Sequence, residues 1–218
     1  MIIRIDAAVR RDFPGLEVLM ARIWGVRVRG EDPELHRFKG EVIEEVKRNH
    51  DLESLKDVPV LRAYRDFFWR IGIDPTKTRP AAEALIRRIL RSKPLQTINT
   101  LVDAYNLASI RSCVSIGAFD FKKLKGDLLL RFAKEGENFW GIGMNKAIVL
   151  RGNEPVVSDG EKLIAIYPYR DSDATKVTED TEDVLLLICG VPGIGRETLE
   201  GARRMAVEYI RRFCGGTE

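Results

Sequence analysis

The side chains best suited to chemistry in this chain of 218 residues are short amides and carboxylates on one stretch. Asn99, Asp103 and Asn106 stand at i, i+4 and i+7 among Ile98, Leu101, Val102 and Tyr105. On a helix they share one polar face about two turns long. Asn and Asp are poor helix formers and, if buried, need partners. The structural reading is a stripe that caps neighbouring loops; the functional reading is the wall of a cleft. A second cluster runs from Tyr169 to Thr181, where Arg170, Asp171 and Asp173 follow an apolar run. An ammonium in a partly dry pocket prefers carboxylates and fixed oxygens, so these residues suit the amine of an aminoacyl group. The structural reading of Thr178 to Asp183 is a solvated turn.

Other chemistries are not written into the chain. It lacks a G-x-S-x-G elbow, a Walker phosphate loop and an H-E-x-x-H metal helix. Its two histidines, His36 and His50, stand in or just after a charge-rich helix, apart from any Ser or Cys in a recognisable motif. Cys113, Cys189 and Cys214 have no C-x-x-C spacing, so no zinc site and no disulfide framework is expected. Cys113 reads as a small, partly buried thiol rather than a nucleophile. The run Gly190 to Gly195 reads either as a phosphate cradle ahead of a helix or as a plain loop.

The elements that must position these residues follow from periodicity. Ile2–Ile5 and Leu16–Val28 read as strands parted by a turn at Phe13-Pro14-Gly15. Asp32-Pro33 starts a helix over about 33–49, and Pro59 starts a second that ends near Gly72. Helices follow at about 80–91 and 98–110. From Asp127 onward the pattern becomes short apolar runs at 128–132, 147–150, 163–167 and 184–189, which read as sheet. A helix over 196–213 follows. The expected organisation is an N-terminal strand and helix region, 1–74, packed on a core of 75–218.

Lys and Arg number 36 against 33 Asp and Glu, but the surplus is local. Val60 to Leu95 holds nine basic residues against Asp66, Asp74 and Glu83. Basic helix faces carrying Arg79, Arg87, Arg88 and Arg91, and later Arg203, Arg204 and Arg211, suit a polyanionic strand. The N-terminus lacks an apolar signal stretch, and no run reaches the ~20 apolar residues of a membrane helix, so a reducing cytoplasm is expected.

The stretch Ile98 to Asn106, then Gly117-Ala118-Phe119-Asp120, Leu124-Lys125-Gly126 and Leu130 to Glu137, continued by Val177, Thr181 and Val184-Leu185-Leu186, resembles the B3/B4 tRNA-binding and editing domain of the phenylalanyl-tRNA synthetase beta subunit. The likeness covers about 75–190 and suggests a free-standing member. It implies an α+β fold with a largely antiparallel sheet and packed helices. It also implies a cleft of the kind that, in the synthetase, hydrolyses tRNA mischarged with tyrosine. Where that family has His-Ala-Phe-Asp, this chain has Gly117-Ala118-Phe119-Asp120, which removes a histidine associated with the editing pocket. The family's Gly-Gly-Glu-His-Ser-Gly segment is replaced by Asp171 to Lys176, with Asp173 standing for the glutamate.

The expectation is therefore a tRNA-binding, trans-editing hydrolase of mischarged aminoacyl-tRNA, without cofactor. Asn99, Asp103, Asn106, Gly117, Arg170, Asp171, Asp173 and Thr181 are its substrate-binding candidates. An activated ester needs only a positioned water, polar groups on the amino acid and donors for the oxyanion, so the absence of a triad does not exclude it. The alternative is a non-catalytic module of the same fold that binds RNA or a small ligand.

Overall fold

Asp32 opens the first long helix as the sequence predicts, in a computed structural model that describes residues 1–218. Strand β1 (Ile3–Ile5), helix α1 (Ala7–Asp12) and strand β2 (Val18–Trp24) precede α2 (Pro33–Asn49). The Asp32 carboxylate accepts from the N–H groups of Glu34 and Leu35, both at 2.9 Å, so two of the helix's orphan donors are satisfied. Pro33 follows in the first turn, and Leu35, Phe38, Val42 and Val46 form the buried stripe. Helix α3 (Pro59–Arg70) buries Leu61, Tyr64, Phe67 and Phe68, and Gly72 beyond it takes φ +76°, open to glycine without strain.

Helix α4 (Ala81–Leu90) is short, and α5 (Thr100–Ser112) is buried on most of its circumference. α1, between the first two strands, is an addition: Asp6 caps it by accepting from Ala8 N–H at 2.8 Å, and six residues are too few to show a helical period.

After α5 come β3 (Ser115–Asp120), β4 (Leu128–Phe132), β5 (Asn138–Phe139), β6 (Ile148–Val149), β7 (Pro155–Ser158), β8 (Leu163–Ile166), β9 (Arg170–Asp171), β10 (Asp183–Cys189) and α6 (Arg196–Cys214). β10 is the middle of a three-stranded antiparallel sheet ordered β2-β10-β3, with Val184 opposite Ile23 and Leu187 opposite Gly117. The second sheet is ordered β1-β4-β7-β8-β9 and is antiparallel except for β1 beside β4. β5 and β6 form a separate two-stranded ribbon.

The chain is thus an α+β fold with largely antiparallel sheets. Residues 1–74 supply β1 to one sheet and β2 to the other, and one apolar core runs unbroken from Val9 to Cys214. No helix is long and apolar enough to cross a membrane.

Candidate functional site

Between the two sheets lies a cavity of about 140 Å³. Its wall is apolar where β3, β10, β7 and β8 contribute Ile116, Phe119, Leu187, Val157 and Ala165. Tyr105 and Asn106 of α5, Ala81 at the start of α4, and the Tyr167-Pro168-Tyr169 bend complete it. An engineered apolar cavity of about 150 Å³ accepts benzene, so this volume takes one ring or a branched aliphatic group.

One carboxylate enters the cavity. Asp171 on β9 faces Gly117 on β3 so closely that a Cβ at 117 would stand 3.2 Å from Oδ1, 3.3 Å from Oδ2 and 3.2 Å from the Phe119 ring. The absence of a side chain at 117 is what leaves room for the carboxylate. Burial pushes the Asp171 carboxyl up to about 7, against a smaller opposing pull from the Ala118 N–H. A carboxyl near 7 exchanges a proton readily at neutral pH. The same enclosure raises the Tyr105 hydroxyl, with the Asp171 charge adding to it, and raises the Cys189 thiol well beyond its ordinary range. Cys189 is therefore a protonated wall residue rather than a nucleophile. The end of β10 is fixed from both sides. Tyr167 O–H donates to the Gly190 carbonyl at 2.5 Å and Tyr64 O–H donates to the Cys189 carbonyl.

Of the residues singled out by sequence, the structure brings Asn106, Gly117 and Asp171 to this cavity. The others serve elsewhere. Asn99 is the α5 cap, accepting from Val102 N–H at 2.9 Å. Asp103 is buried in an ion pair with Lys39 at 2.6 Å and accepts from Ile98 N–H at 3.1 Å. Thr181 O–H donates to Asp120 Oδ2 at 3.0 Å, tying the β10 approach to β3. Arg170 is exposed and donates to the Ile142 carbonyl at 3.3 Å, while Asp173 pairs with Lys176 at 2.7 Å. The expected single hollow lined by Asn99, Asp103, Asn106 and Asp173 therefore does not form. α5 is enclosed nearly all round, and its polar stripe divides: Asn99 caps its own helix, Asp103 faces Lys39 of α2, and Asn106 reaches the cavity.

Sequence reasoning passed over Tyr105 and Tyr169 as cavity wall. The available signal was a tyrosine hydroxyl at an apolar helix position, which needs a polar outlet. Cys113 is buried after α5 at φ +58°, its thiol pushed up to about 11 by burial. At Gly190 a Cβ would meet the Glu17 carbonyl at 2.5 Å, so this end of the glycine run is packed loop.

The model of the B3/4 domain family matches residues 63–215. The chain belongs to the B3/4 domain family. Among curated proteins it is similar to the phenylalanine--tRNA ligase beta subunit of Aquifex aeolicus, 28% identical over 163 residues that make up 72% of this chain and 16% of that one. The corresponding subunit of Fusobacterium nucleatum is 30% identical over 115 residues, 52% of this chain and 14% of its own. This B3/4 chain thus spans about a sixth of the length of the relatives it matches. Its fold is that of an N-terminal fragment of the phenylalanyl-tRNA synthetase beta subunit from Pyrococcus horikoshii, with TM-score 0.52 and 16% identity over 97% of this chain and 48% of that one.

In this B3/4 domain the arginines expected to hold RNA fall into two groups. Arg79, Arg87, Arg88 and Arg91 surround a second hollow, of about 470 Å³, beside α4 and α5. Arg203 is engaged by Glu200 and Glu218, and Arg204 and Arg211 line a shallow depression shared with Glu208 and Glu218. The positive field of α6 is therefore partly offset, whereas beside α4 Arg87 pairs with Glu83 at 2.6 Å and Arg79, Arg88 and Arg91 have no carboxylate partner.

Proposed function

We propose that this B3/4 domain hydrolyses the ester of an aminoacyl-tRNA, as a trans-editing activity on tRNA already released from its synthetase. The observation that carries the reading is the enclosed cavity in which Asp171 faces Gly117 beside Asn106. The relatives bear the name of a subunit that joins phenylalanine to tRNA, which supports a tRNA-linked role. The amino-acid side chain occupies the apolar hollow. The Asn106 side chain, which makes no hydrogen bond within the protein, donates to the ester carbonyl oxygen where negative charge develops.

Ionised Asp171 takes a proton from the attacking water. The water oxygen bonds to the carbonyl carbon, the ester C–O bond breaks, and the proton passes to the departing ribose oxygen. The α-ammonium of the substrate favours the ionised carboxylate when it binds. Arginines beside α4 hold the RNA backbone, giving binding that weakens with salt.

The test is deacylation of a panel of mischarged tRNAs by the wild type, Asn106→Ala and Asp171→Asn. At least one substrate should be cleaved, with Asp171→Asn slower by about 10²-fold or more. Absence of cleavage above buffer for every substrate refutes the hydrolase. A second reading, binding without turnover, is favoured by one observation: no histidine lines the cavity. It predicts tRNA retention with intact ester.

A further inference from the structure

Asp171 stands on the shortest strand of its sheet. β9 is two residues long and lies at the edge of the order β1-β4-β7-β8-β9, paired with β8 at Ala165 and Ile166 alone. The carboxyl is reached by the Ala118 N–H and by no charged side chain, and the ionisable groups that face it, Tyr105 of α5 and Cys189 of β10, are neutral at pH 7. No cation and no side-chain donor fixes the carboxylate. Its place is therefore set by the backbone that carries it, and an edge strand with so little pairing opens locally at low cost.

The outer edge of β9 is closed by the chain that leaves β5. Ile142 N–H donates to the Asp171 carbonyl at 2.9 Å and Asp173 N–H donates to the Trp140 carbonyl at 3.1 Å, so that Gly141 and Ser172 face each other as an antiparallel bridge. The Ser172 hydroxyl adds a bond to the same Trp140 carbonyl at 3.3 Å. The Ile142 bond falls on the carbonyl next to the Cα that bears the carboxylate.

The fit is closest at Gly141, where a Cβ would stand 2.6 Å from Arg170 Cδ and 3.0 Å from Met144 Sδ. The lack of a side chain is what lets this segment lie flat on β9. Met144 N–H returns to the Gly141 carbonyl at 3.1 Å, closing a tight turn. Met144 and the cavity residue Tyr169 pack on one small apolar cluster built round Phe139 and Ile166. Trp140 and Ile142, by contrast, are 51% and 43% exposed. Side-chain burial does not account for where these two residues lie; their backbone bonds to β9 do.

We propose that residues 140–144 form a strap that positions Asp171, with the Ile142 N–H as its pin and Gly141 as the point of close approach. The strap holds the outer edge of β9 and so keeps the carboxylate against Gly117, inside the cavity. Ile142 and Gly141 are positioning residues and touch no substrate. The effect of the strap on turnover rests on the hydrolase reading; its effect on the Asp171 carboxyl does not.

The test follows the Asp171 carboxyl carbon by NMR through a pH titration of the full chain. Ile142→Pro removes the N–H, and Gly141→Ala drives a methyl into Arg170 and Met144. Each should lower the Asp171 midpoint by at least about one pH unit from its value near 7, because a loosened β9 admits water to the carboxylate. Ile142→Ala keeps the N–H and should keep the wild-type midpoint. Thermal melting verifies that each variant is folded. In the wild type, the Ile142 amide should exchange with solvent at least about 100-fold more slowly than in a free peptide, despite the exposure of its side chain.

An Ile142 amide that exchanges at the free-peptide rate overturns the strap, whether or not the variants fold. So does an Asp171 midpoint unchanged in folded Ile142→Pro. Should the wild type cleave mischarged tRNA, kcat/KM in Ile142→Pro should fall by about tenfold or more, with its pH midpoint moving in step with the titration. A shifted midpoint in a protein that cleaves no ester removes the hydrolase and keeps the strap, whereas full cleavage with an unshifted midpoint in Ile142→Pro removes the strap alone.

Discussion

Replacing Asp171 by Asn should make the protein more stable and less active, and the gain should depend on pH in a defined direction. Burial raises the folded-state carboxyl from 3.8 to about 7. Between those values the folded protein binds more protons than the unfolded chain, so stability falls as pH rises from about 4 to about 7 and is level outside that window. A difference of about three pKa units corresponds to roughly 4 kcal/mol at pH 8, since each unit is 1.36 kcal/mol.

Asn keeps the shape of the side chain and never pays for ionisation. The variant should therefore match the wild type near pH 3.5 and exceed it by about 2–4 kcal/mol at pH 8, or roughly 5–15 °C in Tm for a chain of this size. Urea or thermal unfolding of both proteins at pH 3.5, 5.5 and 8 measures this directly. A stability difference that is constant across pH, or that favours the wild type at pH 8, would refute the claim that Asp171 sits ionisable in a desolvated cavity. The same carboxyl predicts a rise in kcat/KM for ester cleavage with pH about a midpoint near 7, absent in the variant.

Gly117→Ala places a methyl 3.2 Å from Oδ1 of Asp171 and from the Phe119 ring. Chemical denaturation should show a loss of about 1–3 kcal/mol, the usual range for overpacking. Lys39→Ala leaves Asp103 as an unpaired buried carboxylate. It should cost about 3–5 kcal/mol at pH 7, and Lys39→Ala combined with Asp103→Leu should recover most of that in the same unfolding assay.

The sequence announces the helices because their signals are local. Asp32-Pro33 caps and starts α2, and Pro59 starts α3, each within a residue or two of its sequence expectation. β3 is different: Ser-Ile-Gly-Ala-Phe-Asp is buried at every position, so the alternation that marks a half-exposed strand is absent. The site is legible in the same uneven way. Asn106, Gly117 and Asp171 stand out by type, yet what joins them is the approach of β9 to β3 in the opposite sheet. Spacing along one helix cannot report a contact of that kind. Asn99 and Asp103, grouped with Asn106 by that spacing, are occupied by a cap and by Lys39, a residue contributed from a different helix.

The place of β10 between β2 and β3 also bears on how the molecule is made. β2 leaves the ribosome about 160 residues ahead of the strand it pairs with along its whole length. At 5–20 residues per second, that is a wait of roughly 8–30 s for an apolar strand with open edges. Nascent chains stalled before Asp183 should accordingly be captured by holdase chaperones and digested readily by protease. Release from both should coincide with the emergence of β10, the strand that joins β2 to β3 and so closes a sheet opened about 160 residues earlier.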